Sequence, residues 1–422
     1  MRNILSVLAM AVGLAITHTP ANAATTCDLI ADSSPSGSSY VRCSDNGGPS
    51  YRVFPRLAWD MLTGDMDDAA AANFNGSIRF YGYSPEDIPW AQAQAASGMK
   101  MAVGGWDKGN RGQISYANAY NYAVSMCPYV VGLSLPDEGL EGGNALTTGQ
   151  MTTIATAFRA GCPSALIIGD HYQTTSAAWY NTYADVIAFD GYAGYAGPNW
   201  GKEINIEALT SDFTAFRAAV TPAKPVWITW LPGWGSTVWD LPVMTLEESK
   251  ETVLMAITKG ANGAIEFPWC VDDYDCAAGK NLPDTTYEWP ITTYIQGLLT
   301  QPLLYSNDSN NMTVSAVYNG SATSDVLTRL KRKNSDYLLI VSQYKNGTKK
   351  DTAHYRGINR DGVRFCFSGK TITSVTNVED GTVYALSDNC FTEPGLGRIG
   401  IAQRLGANHS LGGSTMYTIK AQ

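Results

Sequence analysis

Between residues 51 and 300 the sequence repeats one alternation, in which a short β-branched or aromatic run is followed by a polar or glycine-rich loop and then by a stretch with helical periodicity. Runs such as Ala-Leu-Ile-Ile-Gly at 165–169 are apolar nearly throughout, which is typical of parallel strands covered on both faces. The alternation therefore predicts a parallel sheet covered by helices. The predicted strands are residues 53–59, 77–83, 100–106, 130–135, 165–169, 186–190, 226–231 and 263–269, and the predicted helices include 85–96, 115–126, 147–160, 206–219 and 245–259.

Eight strand–helix units in about 250 residues match the size of a (β/α)8 TIM barrel. A doubly wound sheet is the alternative, but no glycine-rich phosphate loop follows the first run. We predict an α/β fold with the barrel at residues 24–300. Beyond it, helical periodicity is lost and short strands alternate with Asn, Gly and Asp turns, which predicts a C-terminal antiparallel β-sandwich at 301–422. Its predicted strands are 313–318, 337–343, 363–367, 371–375 and 416–420.

The N-terminus has the pattern of a secretory signal peptide. Arg2 precedes an apolar run at 4–16, and the small residues Ala21 and Ala23 match a cleavage site. The run is too short to span a bilayer. We exclude residues 1–23 from the fold and expect a secreted or periplasmic protein.

Eight cysteines follow the predicted cleavage site, and an even count in an exported protein favours disulfides. Pairing between neighbours would keep each bridge within one local unit. No Cys-x-x-Cys is present and only three histidines follow the signal, so we expect no metal site. The expected pairs are Cys27 with Cys43, Cys127 with Cys162, Cys270 with Cys276, and Cys366 with Cys390.

The charge of the chain restricts its partners. The net charge is −9, and no Lys/Arg run is long enough to make a basic stripe, so we expect neither nucleic acid nor a membrane surface as partner. Charged residues make up only 16% of the chain and aromatic residues 11%. We expect a monomer whose surface relies on aromatic and amide groups instead of charge.

Polar residues at the carboxyl ends of barrel strands form the active site in this architecture. Here those positions carry mainly acidic residues interleaved with Trp and Tyr. Aromatic faces stack on sugar rings, and paired carboxyl groups supply a proton donor and a nucleophile or base, so the pattern indicates sugar chemistry without a cofactor. The predicted substrate-binding residues are Asp60, Tyr81, Trp106, His171, Tyr172, Tyr192, Trp230, Trp234 and Trp269.

Four acidic residues are the candidate catalytic groups. Asp137 and Glu138 follow the apolar run Val-Gly-Leu-Ser-Leu-Pro, and the two side chains would point to opposite sides. The alternative for this pair is a helix-capping acidic loop. Asp190 and Glu266 interrupt otherwise apolar runs, where a charge is costly unless it is paired or faces a cleft. The alternative for Glu266 is a buried carboxylate bonded to neighbouring backbone.

Three segments, 130–138, 183–192 and 255–269, resemble (β/α)8-barrel glycoside hydrolases of the broad clan that includes many β-galactosidases and endoglycanases. The last segment resembles their passage from a helix through a Gly-Ala-x-Gly turn into the closing strand. The resemblance implies that Glu138, which ends the fourth strand, is the acid/base. It also implies a Glu nucleophile at the end of the seventh strand, but 226–234 contains no carboxylate, so Asp190 or Glu266 would have to replace it.

Asp137 next to Glu138 is also similar to hexosaminidases that use substrate-assisted catalysis, in which the Asp orients the acetamido group and the Glu is the acid. The sequence therefore predicts a glycoside hydrolase acting on a polysaccharide or oligosaccharide. The rival is a noncatalytic carbohydrate-binding barrel, which the missing carboxylate favours. The β-sandwich either binds carbohydrate or only supports the barrel, and the absence of Trp after residue 300 favours support.

Overall fold

The structure of the chain is a computed structural model, which describes part of the sequence. The described residues are 28–33, 39–44, 51–52, 54–59, 61–79, 87–100, 115–136, 138–141, 145–193, 203–222, 224–231, 244–267, 269, 281–285, 288–349, 355–357, 362–394 and 414–422. Among them, no helix is long and apolar enough to cross a membrane.

A small antiparallel sheet of β1 (Asp28–Ser33), β2 (Ser39–Ser44) and β3 (Tyr51–Arg52) precedes the barrel. The barrel sheet then has seven described strands in the order β5-β4-β10-β9-β8-β7-β6, and every neighbouring pair is parallel. Of the predicted third strand, residues 101–106 lie outside the described residues; the carbonyl of Lys100, which is described, accepts a hydrogen bond from the Val131 N–H at 2.6 Å. The seven strands are β4 (Arg56–Trp59), β5 (Gly76–Ile78), β6 (Gly132–Ser134), β7 (Leu166–His171), β8 (Val186–Phe189), β9 (Val226–Trp230) and β10 (Ala261–Glu266).

Helices follow the strands, as the sequence predicts, and the TIM-barrel prediction is confirmed. The helix predicted at 245–259 begins with a capping box, because the Thr245 N–H donates to Glu248 Oε2 at 2.8 Å and the Thr245 hydroxyl accepts from the Glu248 N–H at 3.2 Å. The described helices are α1 (Met66–Ala71), α2 (Asp87–Ala96), α3 (Tyr116–Met126), α4 (Thr148–Gly161), α5 (Ala177–Tyr183), α6 (Ile206–Ala219), α7 (Leu246–Thr258) and α8 (Glu288–Leu298).

Side chains on the barrel strands alternate between two apolar clusters. One cluster contains strand residues such as Ile168 and Trp227 and residues at strand ends, but none from the helices, so it fills the barrel interior. The other joins Ile167 and Ile228 to helix residues such as Phe216 and therefore lies outside the barrel. This sorting identifies which residues near the strand ends face the cleft.

The C-terminal region is an antiparallel β-sandwich, as predicted. One sheet has the order β11-β14-β15-β21-β19 and the other β13-β12-β18-β20, with a separate hairpin of β16 and β17. The sequence did not lead us to predict β14, whose Arg and Lys residues obscure its strand pattern. The strands are β11 (Asn307–Asp308), β12 (Thr313–Tyr318), β13 (Ser321–Ala322), β14 (Val326–Lys333), β15 (Asp336–Gln343), β16 (Asn346–Lys349), β17 (Tyr355–Gly357), β18 (Val363–Ser368), β19 (Ile372–Asn377), β20 (Cys390–Glu393) and β21 (Ser414–Ala421).

The sandwich packs against the barrel through α7. Alternate residues of β15, such as Leu339, lie in the sandwich core, while Leu338 and Ile340 join the cluster that covers the outside of the barrel. All residues of α7 from Glu247 to Ile257 are buried. The sheet of the barrel and the sandwich therefore enclose this helix.

Two of the four predicted disulfides are confirmed. Cys127–Cys162 joins the ends of α3 and α4 with a Cα–Cα distance of 5.4 Å, and Cys366–Cys390 links paired residues of β18 and β20. Cys27, Cys270 and Cys276 lie outside the described residues, so the other two pairs stay predictions.

Candidate active site

Two aspartates face the barrel interior at the carboxyl ends of neighbouring strands. On β7, Ile168 belongs to the interior cluster, so the alternation also directs Asp170 inward; on β8, Ala188 does the same for Asp190. The strands are in register, and the Asp190 N–H donates to the His171 carbonyl at 3.2 Å. Asp170 is buried and Asp190 is half-buried. A pair of carboxylates therefore lines this mouth of the barrel.

Glu138 lies in a strained turn in the loop that follows β6. Its φ is +43°, and the other non-glycine residues with positive φ in the described chain are all Asn or Asp. Those two types tolerate the left-handed conformation, whereas for other residues it costs roughly 1–3 kcal/mol. Backbone strain of this kind is concentrated at functional sites, which makes Glu138 the outstanding candidate on geometric grounds.

Neighbouring groups hold this turn in place. The Glu138 N–H donates to the Asp170 carbonyl at 3.2 Å, and the Glu141 N–H donates to the Glu138 carbonyl at 2.8 Å. A Cβ added to Gly139 would lie 2.6 Å from the Met151 side chain and 3.0 Å from the Pro136 carbonyl oxygen. Close packing and hydrogen bonds together fix the backbone that carries Glu138.

Aromatic residues also lie at the carboxyl ends of the barrel strands. The Tyr192 ring stacks on Phe267 with centroids 5.8 Å apart and packs against the interior cluster. Phe267 also meets the Trp59 ring edge-on at 6.4 Å. Tyr172, after β7, is 40% exposed at the rim. Of the predicted substrate-binding residues, Tyr172 and Tyr192 follow barrel strands and are not buried.

Glu266 does not face this cleft. Its neighbours Ile265 and Phe267 point into the barrel, so Glu266 points outward. There the Thr292 hydroxyl donates to Oε1 and the Gln296 amide donates to Oε2 at 3.2 Å, both from α8. Complete burial, opposed by these two hydrogen bonds, raises the pKa of Glu266 to about 8. The expected role of Glu266 as a catalytic partner is therefore corrected to that of a buried structural carboxyl.

His171 also points away from the interior. It is buried, and its ring stacks on Tyr180 of α5 at 4.0 Å and lies 4.7 Å from the Phe216 ring of α6. Strand alternation again explains the outcome, because the inward position on this strand belongs to Asp170. The predicted contact between His171 and substrate is thus corrected.

Two predicted substrate-binding tryptophans are core residues. Trp230 belongs to the cluster between sheet and helices and has no solvent exposure. Trp269 is also completely buried, where its indole N–H donates to Asp65 at 2.7 Å and its ring meets Trp289 at 5.8 Å. Neither ring can stack on a sugar in this arrangement.

The remaining predicted site residues lie outside the described part of the chain and stay predictions: Asp60, Tyr81, Trp106, Asp137 and Trp234. Sequence reasoning left out Asp170 and Glu141. The signal for Asp170 was available, because it interrupts an apolar run as Asp190 does. Glu141 gave no such signal. Within the described residues, no group of three or more His, Cys, Asp or Glu side chains is placed to hold a metal ion.

No protein-family model and no curated protein sequence matches the chain. Solved structures do match its fold. A glycoside hydrolase aligns over 94% of this chain and 97% of its own, with 12% identity and a TM-score of 0.60. A family 5 glycoside hydrolase from Bacteroides vulgatus aligns over 93% of both chains at 13% identity and a TM-score of 0.55. A family 27 β-L-arabinopyranosidase from Geobacillus stearothermophilus covers 87% of this chain and 97% of its own at 9% identity and a TM-score of 0.53. These similarities show a barrel fold like that of glycoside hydrolases from several families.

Proposed function

We propose that the protein is an exported glycoside hydrolase that cleaves glycosidic bonds in a polysaccharide or oligosaccharide. Glu138 is the general acid and Asp190 is its partner, as nucleophile or base. The observation that carries the proposal is the strained, tightly held turn of Glu138 at the same barrel mouth as the inward-facing Asp190. The fold similarity to glycoside hydrolases supports it.

This arrangement suits the chemistry of glycoside cleavage. The reaction needs one carboxyl group that protonates the leaving oxygen and one carboxylate that attacks or activates water. Glu138 and Asp190 lie on strands separated by β7, which carries Asp170 between them. Tyr192 and Tyr172 supply rings for sugar stacking.

The test is hydrolysis of a polysaccharide and oligosaccharide panel, including N-acetylated sugars, by the full chain after signal removal. On any substrate found, Glu138→Gln should lower kcat by about 10²–10⁴-fold, the usual contribution of a general acid or base, and Asp190→Asn should also be severely impaired. Glu266→Gln is the matched control, because that carboxyl is buried against α8, and it should retain activity. A folded Glu138→Gln protein with full activity would refute the proposal.

A noncatalytic carbohydrate-binding barrel is the second candidate. The resemblance to glycoside hydrolases implies a nucleophilic Glu at the end of β9. The described residues there are Thr229, Trp230 and Leu231, which carry no carboxylate, and this favours a binding role. This candidate predicts that panel sugars bind without release of product and that Glu138→Gln binds them as the parent protein does. Cleavage confined to N-acetylated sugars and abolished by Asp137→Asn would instead identify substrate-assisted catalysis.

A further inference from the structure

We infer that Glu141 is a positioning residue that fixes the turn carrying Glu138 against the loop after β7; the inference rests on the proposed role of Glu138 as general acid. Glu141 lies three residues after Glu138 and is buried. Its own N–H donates to the Glu138 carbonyl at 2.8 Å. The strained residue and the buried carboxylate thus belong to one turn.

The Glu141 carboxylate accepts three hydrogen bonds from the loop after β7. Oε2 accepts from the Tyr172 N–H at 3.1 Å, while Oε1 accepts from the Gln173 N–H at 3.0 Å and from the Ser176 hydroxyl at 2.9 Å. These donors lie more than 30 residues further along the chain. Glu141 therefore links the turn of the proposed acid to the rim that carries Tyr172.

His171 completes this link on its buried side. Its Nδ1 lies 3.4 Å from Glu141 Oε1 and 3.0 Å from the Gln173 carbonyl oxygen. Both neighbours are acceptors, so Nδ1 carries the proton. Stacking of the ring on Tyr180 fixes its orientation. The histidine predicted to touch substrate acts here through the loop instead.

The geometry requires a carboxylate and not merely a polar side chain. The two backbone N–H groups approach different oxygens of Glu141, and both are donors. A glutamine has one carbonyl oxygen and one NH2 group, so Glu141→Gln would set a donor against a donor at one of these contacts. Ser176→Ala is the matched control, because it removes one hydrogen bond from the same carboxylate and leaves both backbone contacts in place.

Leaving-group dependence separates a displaced acid from a generally damaged site. A general acid matters most when the departing oxygen is basic and least when it leaves readily as an anion. The probes are phenyl and 2,4-dinitrophenyl glycosides of the sugar that the panel shows to be cleaved. Glu141→Gln should lose at least about tenfold in kcat on the phenyl glycoside and less than about threefold on the dinitrophenyl glycoside, with KM little changed. Glu138→Gln should show the same selectivity more strongly, and Ser176→Ala should stay within about threefold on both substrates.

Equal losses by Glu141→Gln on both glycosides, or a loss that matches its unfolded fraction in a thermal melt, would overturn the positioning role. Activity of Glu141→Gln equal to that of the parent protein on both would overturn it as well. If Glu138→Gln itself shows no leaving-group selectivity, the proposed acid is wrong and the inference falls with it. Failure of the proposed acid can be distinguished from failure of the positioning role, because the first is seen in the Glu138 variant and the second only in the Glu141 variant.

Discussion

The pH dependence of protein stability tests whether the Glu266 carboxyl is buried against α8 and not exposed to the cleft. Its carboxyl is completely buried, and burial raises its pKa from an ordinary value of 4.5 to about 8, although hydrogen bonds from Thr292 and Gln296 oppose the rise. Between these two pH values the folded protein binds a proton that the unfolded chain releases. The free energy of unfolding must therefore fall as the pH rises from about 4.5 to about 8, by the linkage relation.

The size of this effect follows from the two pKa values. Each unit of difference corresponds to about 1.4 kcal/mol, so the interval between 4.5 and about 8 is worth on the order of 5 kcal/mol when complete. At pH 7 roughly 3 kcal/mol of it has been lost relative to the fully protonated state. Glu266→Gln does not titrate; its oxygen can accept from the Gln296 amide, and the Thr292 hydroxyl can accept from its NH2 group. Glu266→Met has similar length and carries no ionisable group.

The assay is urea unfolding of the parent protein and both variants at pH 5, 7 and 9. The stability of Glu266→Gln relative to the parent should rise by about 3–5 kcal/mol between pH 5 and 9, because only the parent must either take up a proton or bury a charge when it folds. The same rise is expected for Glu266→Met, whatever its stability at pH 5. A difference between parent and variants that does not change with pH would refute the reasoning.

Three further predictions concern the barrel and its interface. Replacing both Cys127 and Cys162 with Ser should lower the free energy of unfolding by about 4 kcal/mol in urea titrations, because the bridge closes a separation of 35 residues. Gly139→Ala should reduce kcat by about 10²-fold through displacement of the turn, measured at a temperature where a thermal melt shows the variant to be folded. Lys250→Met should cost about 3–5 kcal/mol in thermal or urea unfolding because it leaves Glu379 buried without its cation, and adding Glu379→Gln should recover part of that loss.

The barrel and the sandwich were predictable because strand and helix periods, turn residues and caps are local signals. The direction of individual side chains was not. Runs such as 186–189 and 226–230 are buried on both faces, so no polar face marks which residues point inward. Both Asp190, which faces the interior, and Glu266, which faces α8, were therefore predicted as catalytic candidates.

Glu141 illustrates a different limit. Its carboxylate is defined by backbone N–H groups of Tyr172 and Gln173, more than 30 residues away, and backbone donors have no residue-specific signature. The strain at Glu138 is equally invisible, since a left-handed backbone is expected at Asn or Gly and not at Glu. Both features arise from the packing of two loops and require the folded chain.

The burial of α7 bears on what the β-sandwich does. A helix at the surface of a barrel usually exposes one polar face to water. In α7, every residue from Glu247 to Ile257 is buried, including Lys250 and the glutamates. Lys250 donates to Glu379 of the sandwich at 2.9 Å. Burial alone would raise the pKa of Glu379. The charge of Lys250 and the hydrogen bonds from the Thr415 and Tyr294 hydroxyls outweigh burial and hold this pKa below its ordinary value. These polar groups would be left without partners if the sandwich were a detachable sugar-binding module. The interface instead favours a supporting role, in which the sandwich holds the helix that joins β9 to β10 and so steadies one side of the proposed cleft.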